Sequence, residues 1–486
     1  MAWWVTDDDD RPREECGVFG IFGAGDDAAA HTALGLHALQ HRGQEACGIC
    51  AFDGEHFHNH RASGQVGDTF NDPAVIARLP GGAAIGHVRY STTGETILRN
   101  VQPLFADFAF GGLAVAHNGN FTNAVRLRSE LVERGHLFQS TSDTEVIIQL
   151  MAVSRGNTVI KRMLEALRQV EGAYSLIALT GKKVIGVRDP LGVRPLVLGQ
   201  LGDGPHILAS ETCALDIIGA DFIRDVEPGE MVVLDEGGVH SLRPFAPVRS
   251  RFCIFEYIYF ARPDSFVEGN SIYEVRKRIG AELAGETHVP ADVVVPVPDS
   301  GVPAAIGYAN ESGLPFELGI IRNHYVGRTF IEPTDNIRHL GVRLKHNTNR
   351  AQLAGKRVIL VDDSIVRGTT STKIVEMVRA AGASEVHMRI SSPPTTHSCF
   401  YGIDTPERKQ LLAANNSVAE MARIIGVDSL AYVSMDGLYR AMGMNGRDEA
   451  SPGYCDACFS GDYPTRLSDE TDGRRSAQMS LLEEVG

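Results

Sequence analysis

The sequence lacks several features that would indicate a membrane, secreted or nucleic-acid-binding protein. It has no run of about 18 apolar residues, and its start, MAWWVTDDDD, has neither the basic residues nor the apolar stretch of a signal peptide. Basic residues number 46 against 61 acidic ones, which gives a net charge of -15. Because binding to a phosphate backbone needs clustered Lys and Arg, this balance argues against a broad nucleic-acid surface. We therefore expect a cytoplasmic protein with no membrane and no nucleic acid among its partners.

Cysteine is also scarce, with eight in 486 residues. That is too few for a disulfide-stabilised secreted scaffold, so we interpret the cysteines as thiols, nucleophiles or metal ligands. Only Cys455 and Cys458, in PGYCDACFSG, have the CxxC spacing of a ligand pair, and Cys47 and Cys50, in EACGICAF, are expected to pack within a strand. The cysteines are Cys16, Cys47, Cys50, Cys213, Cys253, Cys399, Cys455 and Cys458.

The length of the chain predicts two domains, because one hydrophobic core rarely supports so many residues. From residue 16 to about residue 235, short apolar runs broken by Gly and Asn indicate antiparallel sheets, and two helical segments suggest an α/β/β/α sandwich. Beyond residue 250 the runs ADVVVPVP, KRVILVD, STKIVEMVRAAGA and EVHMRISSP are typical of a parallel α/β sheet. We place the domains at 16–250 and 251–462, followed by a polar tail, 463–486, that we expect to be frayed or loosely docked.

The most informative stretch is VILVDDSIVRGTTSTKIVEMV, a buried strand that ends in two carboxylates and leads through a polar loop into a helix. Asp362 and Asp363 can accept hydrogen bonds from ribose hydroxyls or bind a hard cation such as Mg²⁺. Gly368 permits close backbone approach, and the helix amino end favours an anion. A bare Asp-Asp more often only caps a helix, but the whole string favours a phosphorylated sugar held by residues 367–370.

This string resembles the phosphoribosylpyrophosphate (PRPP) signature of type I phosphoribosyltransferases. The resemblance implies that the acidic pair contacts the ribose and that the following loop holds the 5′-phosphate. In that family an earlier loop binds pyrophosphate, and VVVPVPDSG matches its place; a flexible loop closes the site, for which residues 322–331 are the candidate. Some members have Lys and Arg where this chain has Arg322 and His324, which leaves the charge roles in that loop open. The implied PRPP-binding residues are Ser300, Asp362, Asp363, Ser364, Arg367, Gly368, Thr369 and Thr370, and Ser300, Asp362 and Asp363 would surround Mg²⁺.

Four strings in the first half carry side chains suited to glutamine hydrolysis. They are CGVFGIFG with Cys16, GHVRYSTTG with Arg89, AHNGNFTN with Asn118 and Gly119, and STSDTEV with Asp143. The reaction needs a thiolate nucleophile, donors for an oxyanion and a clamp for the two charges of the amino acid. Taken singly, the strings could supply a buried strand residue, a surface ion pair, a hairpin turn and a helix cap. The set as a whole favours chemistry.

A base for the thiol is not evident, since no His stands in a recognisable cysteine-protease context. An α-amino group, with a reference pKa of about 7.7 to 8.0, could serve. Cys16 has a free amine only if residues 1–15 are removed. We therefore interpret MAWWVTDDDDRPREE as a propeptide.

Together with LQHRGQEACGI, these strings resemble the N-terminal-nucleophile glutaminase domain of class II amidotransferases. The resemblance makes Cys16 the nucleophile, assigns the carboxylate and amino group of glutamine to Arg89 and Asp143, and places the oxyanion hole at Asn118 and Gly119. A glutaminase followed by a phosphoribosyltransferase resembles the glutamine PRPP amidotransferase family of purine biosynthesis. Membership would imply that PRPP, glutamine and water give 5-phosphoribosylamine, glutamate and pyrophosphate, with ammonia passing between two sites. It also implies a homotetramer and inhibition by purine nucleotides.

Four cysteines lie beyond residue 250, and their sulfurs suit zinc, an iron–sulfur cluster or plain packing. The residues alone leave these three open. One branch of the amidotransferase family holds a structural 4Fe-4S cluster on cysteines in the same contexts. By this resemblance the ligands are Cys253, Cys399, Cys455 and Cys458.

Two other functions are compatible with parts of the sequence. A different glutaminase-linked synthase could aminate another sugar phosphate, although VDDSIVRGTT disfavours that acceptor. A PRPP-sensing regulatory protein could retain the phosphate loop without turnover, although a complete glutaminase set and an acidic surface oppose it.

Overall fold

The computed structural model of the chain describes residues 13–14, 16–90, 97–323 and 346–471. Strands β1 to β14 belong to the N-terminal half, and strands β15 to β25 belong to the C-terminal half. Among the described residues, no helix combines the length and the hydropathy that a membrane crossing requires.

The N-terminal half alternates strands with helices. Its strands are β1 (Arg13–Glu14), β2 (Cys16–Phe22), β3 (Ala46–Phe52), β4 (Phe57–Ser63), β5 (Ala83–Arg89), β6 (Leu104–Phe108), β7 (Gly111–Phe121), β8 (Gly172–Thr180), β9 (Lys183–Arg188), β10 (Val197–Gln200), β11 (His206–Ala209), β12 (Asp221–Asp225), β13 (Met231–Asp235) and β14 (Gly238–Leu242). Its helices are Ala28–Ala38, Val66–Phe70, Pro73–Ile76, Ala124–Glu133, Thr144–Val153, Val159–Leu167 and Cys213–Asp216.

Two antiparallel sheets stack face to face in this half, in the strand orders β12-β10-β11-β2-β5-β3-β4 and β14-β13-β9-β8-β7-β6. Strand β2 is apolar on both faces because Val18 packs into the core between the sheets while Phe19 packs against the outer helix layer. Gly35 of helix Ala28–Ala38 leaves room for the Phe19 ring, since an added Cβ would lie 2.4 Å from it. The predicted α/β/β/α sandwich is confirmed, and Cys47 and Cys50 are buried in β3 as expected.

The C-terminal half begins with short strands and then builds a parallel sheet. Its strands are β15 (Phe252–Cys253), β16 (Phe266–Val267), β17 (Asn270–Ser271), β18 (Val293–Pro296), β19 (Ile320–Arg322), β20 (His346–Thr348), β21 (Arg357–Asp362), β22 (Glu385–Ile390), β23 (Ile403–Asp404), β24 (Ser429–Tyr432) and β25 (Tyr454–Cys455). Its helices are Glu256–Phe260, Ile272–Thr287, Val302–Ser312, Arg350–Leu353, Thr369–Ala380, Leu412–Asn415, Val418–Ile425, Met435–Ala441, Ala457–Ser460 and Ser468–Thr471.

The parallel sheet has the order β18-β21-β22-β24 and is covered by helices on both faces, which accounts for its nearly continuous apolar strands. Strands β18 and β21 are neighbours in register, with Pro296 opposite Val361. Because parallel strands end at the same edge, the loops that follow β18 and β21 meet there. The predicted parallel α/β sheet in the C-terminal half is confirmed.

A buried ion network joins the two halves. The Arg42 guanidinium contacts Glu211 of its own half and donates to Glu256 of the other half at 2.7 Å. Arg194 donates to the same Glu256 carboxylate at 3.0 Å, and all four side chains are fully buried. The cost of burying these charges is offset by their mutual pairing, so removing one partner would leave an uncompensated buried charge.

The start of the C-terminal tail is held by specific contacts, whereas we expected a frayed or loosely docked segment. The backbone N–H groups of Val125 and Arg126 donate to the Asp469 carboxylate at 2.8 and 3.0 Å. Asp469 therefore caps helix Ala124–Glu133, whose own N-cap residue, Asn123, provides no side-chain cap. Residues 472–486 lie outside the described part of the chain.

Candidate active sites

Strand register places Cys16 beside Arg89. Cys16 begins β2 and lies directly opposite Arg89, the last residue of β5. Arg89 is only 5% exposed, and its Nη1 donates to the carbonyl oxygen of Asn100. A surface ion pair, the plainer interpretation of Arg89, is therefore wrong. Cys16 is a buried strand residue, which is compatible both with a packing role and with a nucleophilic role for its thiol.

Asn118 and Gly119 lie within the long strand β7 and do not form a hairpin turn. The Asn118 side chain is fully buried, and neither of its amide atoms has a hydrogen-bond partner within the described part of the chain. Gly119 has φ of +136°, and a Cβ there would lie 2.1 Å from the carbonyl oxygen of Ala173, so only glycine fits. An unsatisfied buried amide is costly, which is consistent with a group kept for a ligand.

Asp143 precedes helix Thr144–Val153 but does not cap it with its side chain. Its Oδ2 instead accepts from the backbone N–H of Phe121 at 3.1 Å and lies 3.6 Å from Nδ1 of His117. Burial by itself would raise the pKa of Asp143, but His117 and the backbone N–H groups outweigh it, and the pKa is lowered. Asp143 is therefore a carboxylate at neutral pH, as the binding of an ammonium group requires.

Three residues that the sequence interpretation missed connect these parts. Nε2 of His87, in β5, donates to the carbonyl oxygen of His117, in β7, at 3.1 Å, which joins the two sheets beside the site. Burial and the neighbouring Arg89 lower the pKa of His87 to about 3, so this donor is a neutral imidazole. The Asn100 side chain donates to the hydroxyl of Thr141, two residues before Asp143, and accepts from the Thr141 backbone N–H, each at 2.9 Å. Position in the sequence could have identified two of them, since His87 lies within GHVRYSTTG and His117 within AHNGNFTN.

The second site lies at the carboxyl edge of the parallel sheet. Ser300 follows β18, Asp362 is the last residue of β21, and Asp363 follows it. Because β18 and β21 are parallel neighbours, the structure brings these predicted residues to the same edge. Oγ of Ser300 and Oδ1 of Asp363 are both buried without a hydrogen-bond partner among the described residues. Oxygen atoms of this kind are the ligands that Mg²⁺ prefers, so the donor set fits the ion.

The loop from Ser364 to Thr370 wraps the amino end of a 12-residue helix, Thr369–Ala380. Ser364 donates to the Asp363 carboxylate at 2.5 Å, and Arg367 donates to Gln410 at 3.4 Å. Gly368 has φ of +84° and occupies the N-cap position without a side-chain cap. The arrangement is that of a helix amino end open to a phosphate. Of the predicted closing loop, residues 324–331 lie outside the described part of the chain, and Arg322 pairs with Asp299.

The four cysteines beyond residue 250 all lie in the C-terminal half. Cys253 of β15 is the register partner of Cys455 of β25. Burial raises the pKa of Cys253 to about 12, and it also raises the pKa values of Cys455 and Cys458, with further increases from neighbouring thiols of this set, Cys399 among them. Within the described residues, however, no group of three or more His, Cys, Asp or Glu side chains has an arrangement that could hold a metal ion. Thiols are the ligands that an iron–sulfur cluster requires, but the described positions of these four do not form a metal site.

Two domain families match the chain. Residues 87–216 match a family described as a glutamine amidotransferase domain, and residues 270–391 match a phosphoribosyl transferase domain. An amidophosphoribosyltransferase of Rhizobium etli is 58% identical over 485 residues, which cover 99% of this chain and 97% of the relative. One from Bacillus subtilis is 48% identical over 459 residues, covering 94% and 96%.

A solved structure shares the whole architecture. The B. subtilis glutamine PRPP amidotransferase, complexed with ADP and GMP, has a TM-score of 0.88 and 47% identity, and the match covers 93% of this chain and 98% of that one. The fold and the two sites thus define a glutamine amidotransferase domain joined to a phosphoribosyltransferase domain. The chain belongs to the amidophosphoribosyltransferase family, whose reaction is the first step of purine biosynthesis.

Proposed function

We propose that the enzyme hydrolyses glutamine at Cys16 and uses the ammonia to displace pyrophosphate from PRPP at the parallel sheet. The products are glutamate, 5-phosphoribosylamine and pyrophosphate. The observation that supports the proposal is that one chain holds both sets of candidate residues, in halves joined through the buried ion network of Arg42, Arg194, Glu211 and Glu256. Because ammonia would be lost to water, the reaction requires a passage between the sites that excludes water.

At the first site, the Cys16 thiolate attacks the side-chain amide of glutamine. The Asn118 amide and the Gly119 N–H stabilise the oxyanion, since both belong to a buried strand that holds them in place before the reaction. Arg89 binds the carboxylate of the substrate and Asp143 binds its ammonium group. The lowered pKa of Asp143 supports the second assignment.

At the second site, Asp362 and Asp363 bind the ribose hydroxyls, and the loop from Ser364 to Thr370 binds the 5′-phosphate. The residues that would hold Mg²⁺ are Ser300, Asp362 and Asp363, whose oxygens lie at one sheet edge. When bound, the ion would neutralise the charge of pyrophosphate as it departs. Residues 322–331 would close over the site and supply further cations.

The decisive experiment separates the two half-reactions. Cys16→Ala should abolish pyrophosphate release with glutamine as donor and leave release with ammonia as donor largely intact, because ammonia bypasses the first site. Cys50→Ala, which removes another buried thiol of the same sheet, is the matched control and should retain both activities. Loss of both activities in a folded Cys16→Ala enzyme would refute the assignment.

Family membership disfavours both alternative functions, and the ammonia assay distinguishes them as well. A PRPP-sensing regulator would release no pyrophosphate with either donor. A synthase for another sugar phosphate would not consume PRPP.

We further propose that residues 1–15 form a propeptide and that the mature chain begins at Cys16. Its α-amino group would then take the thiol proton, which a peptide nitrogen cannot do. The described part of this segment, β1, pairs only with the two-residue strand β23, so its removal takes no strand from either large sheet. Edman sequencing should read Cys-Gly-Val-Phe. Because Trp3 and Trp4 are the only tryptophans, indole emission from fully active enzyme would contradict the cleavage.

For the four cysteines Cys253, Cys399, Cys455 and Cys458, we propose a structural 4Fe-4S cluster. The buried thiols of Cys253, Cys455 and Cys458 and the pairing of Cys253 with Cys455 support it. The purified protein should be brown and contain iron and sulfide in equal amounts, whereas zinc alone would exclude the cluster. Cys455→Ser should lose the iron and lower the stability, because metal binding contributes to folding.

The same family resemblance supports proposals about regulation and oligomeric state. The B. subtilis structure is a complex with ADP and GMP, and we propose that purine nucleotides also inhibit this enzyme. A homotetramer and a cytoplasmic location stay predictions from resemblance and sequence. Sedimentation with and without ADP and GMP would measure the assembly and its response.

A further inference from the structure

A segment of the C-terminal half lies directly against the proposed oxyanion-binding strand. Nδ2 of Asn120, the residue after Gly119, donates to the carbonyl oxygen of Phe400 at 3.0 Å. Gly402 approaches so closely that an added Cβ would lie 3.1 Å from Cα of Gly119. We call residues 400–402 the bracing segment.

The bracing segment is itself held in place from both halves. Nε of Arg194 donates to the carbonyl oxygen of Tyr401 at 2.8 Å, and Arg194 also pairs with Glu256. The Tyr401 side chain is 1% exposed, and its hydroxyl accepts from the backbone N–H of Thr465 at 3.1 Å. A segment fixed on both sides can act as a rigid support for its neighbour.

We propose that Asn120 and Gly402 are positioning residues for glutamine hydrolysis, through which the phosphoribosyltransferase half sets the backbone position of Gly119. This inference rests on the proposed role of Gly119 as an oxyanion donor. The donor is a backbone N–H, so no side-chain rotamer can adjust it and its position depends on contacts with the strand itself. Oxyanion donors act only when held within about 0.5 Å of the position from which they can hydrogen-bond to the developing charge.

The two variants weaken the brace in different ways. In Gly402→Ala, the φ of +110° disfavours any side chain, and the new methyl group would press on Gly119 and on Nη2 of Arg194, 3.0 Å away. Asn120→Asp keeps the shape of the side chain but replaces the donor with a carboxylate facing the Phe400 carbonyl. The second variant keeps the proposal testable if the first does not fold.

Each variant has a matched control. Gly54→Ala places a methyl group at a similar φ, +106°, in open space away from both sites. Asn270→Asp removes a comparable bond, from Nδ2 to the carbonyl oxygen of Glu268 at 2.9 Å, from the β16–β17 hairpin. Both controls should keep wild-type kinetics.

The measurements separate positioning from general damage. We expect kcat for glutamine hydrolysis to fall about 10- to 100-fold, less than the loss of a whole oxyanion donor, with KM for glutamine within about threefold. Ammonia-dependent synthesis should stay within about twofold of wild type. A parallel fall in glutamine-dependent and ammonia-dependent rates, or a rise in KM alone, would overturn the proposal.

A binding assay tests the same point without turnover. The γ-semialdehyde of glutamate forms a tetrahedral hemithioacetal: the thiol sulfur bonds to the aldehyde carbon, the carbonyl π bond breaks, and the thiol proton moves to the oxygen. Its affinity should fall in proportion to kcat, whereas the affinity for glutamate should not change. Equal loss for both ligands would overturn the proposal. If Cys16→Ala retained glutamine-dependent activity, the proposed function itself would have failed, an outcome that the two positioning variants cannot mimic.

Discussion

The two halves of the molecule build their sites in opposite ways. The candidate glutaminase site draws on residues within or at the ends of antiparallel strands. Register brings Cys16 and Arg89 together in one sheet, and Asn118 lies on a strand of the sheet stacked against it. The PRPP site draws on a nearly continuous run, 362–370, in the loop after one parallel strand. Strands of an antiparallel sandwich are rigid on both sides, whereas a loop at a sheet edge can move with its ligand. The candidate hydrolytic site is thus held by strands on both sides, and the candidate PRPP site lies in a loop that can move with its ligand.

The largest effect should follow from removing the charges of the loop site. Asp362→Asn combined with Asp363→Asn should weaken PRPP binding about 10²- to 10⁴-fold, because each charged hydrogen bond contributes about 1.5 to 3 kcal/mol. Both glutamine-dependent and ammonia-dependent synthesis should be lost. Asp292→Asn, at the opposite edge of the same sheet, is the control, and its exposed pair with Arg357 should matter little. Unchanged PRPP affinity by calorimetry would contradict the assignment.

The matching change at the candidate glutaminase site should impair only the reaction that uses glutamine as the nitrogen donor. Asp143→Asn should raise KM for glutamine about 10- to 100-fold, since one charged contact with the ammonium group is lost, and should leave the ammonia reaction unchanged. Asp107→Asn, on the exposed side of β6, serves as the control. If the ammonia reaction were impaired to the same extent, the two sites would not be independent.

A smaller effect is expected from the glycine of the phosphate loop. In Gly368→Ala, the φ of +84° costs about 1 to 2 kcal/mol, which corresponds to a PRPP KM about 5- to 30-fold higher if the loop shifts to relieve it. The new methyl group would also lie 2.7 Å from Cδ2 of Leu412. Gly443→Ala has the same strain, at φ of +83°, in open space, and should leave PRPP kinetics unchanged. Equal KM values for the two variants would show that the loop position does not matter.

The last effect concerns stability rather than catalysis. His87 has a pKa of about 3 in the folded protein, below its unfolded value of about 6.5, so the unfolded chain binds an extra proton between these values. Stability should therefore fall as the pH falls from 6.5 towards 3, by up to about 1.4 kcal/mol per pH unit from this residue. His87→Gln should flatten the dependence of the urea midpoint on pH in that window. The exposed His56→Gln should not change it, and an unaltered slope in His87→Gln would show that the residue is not buried neutral.

Local sequence determined much of the chemistry and of the fold class. The acidic pair, the loop and the helix from Asp362 to Thr370 are consecutive, so their joint role is visible in one string. The apolar runs predicted the antiparallel sandwich and the parallel sheet, because the period and length of such runs depend only on which faces are buried. The order of these patterns, a glutaminase followed by a phosphoribosyltransferase, indicated the two-domain family.

Tertiary structure alone decided which distant residues meet. The pairing of Cys16 with Arg89, the bridge from His87 to His117 and the capping of helix Ala124–Glu133 by Asp469 leave no mark on the neighbouring sequence. The same is true of Gly402 against Gly119, a contact between residues of different halves. The physical reason is that register and sheet stacking are set by the packing of whole surfaces, in which each residue contributes little and no single string specifies its partner.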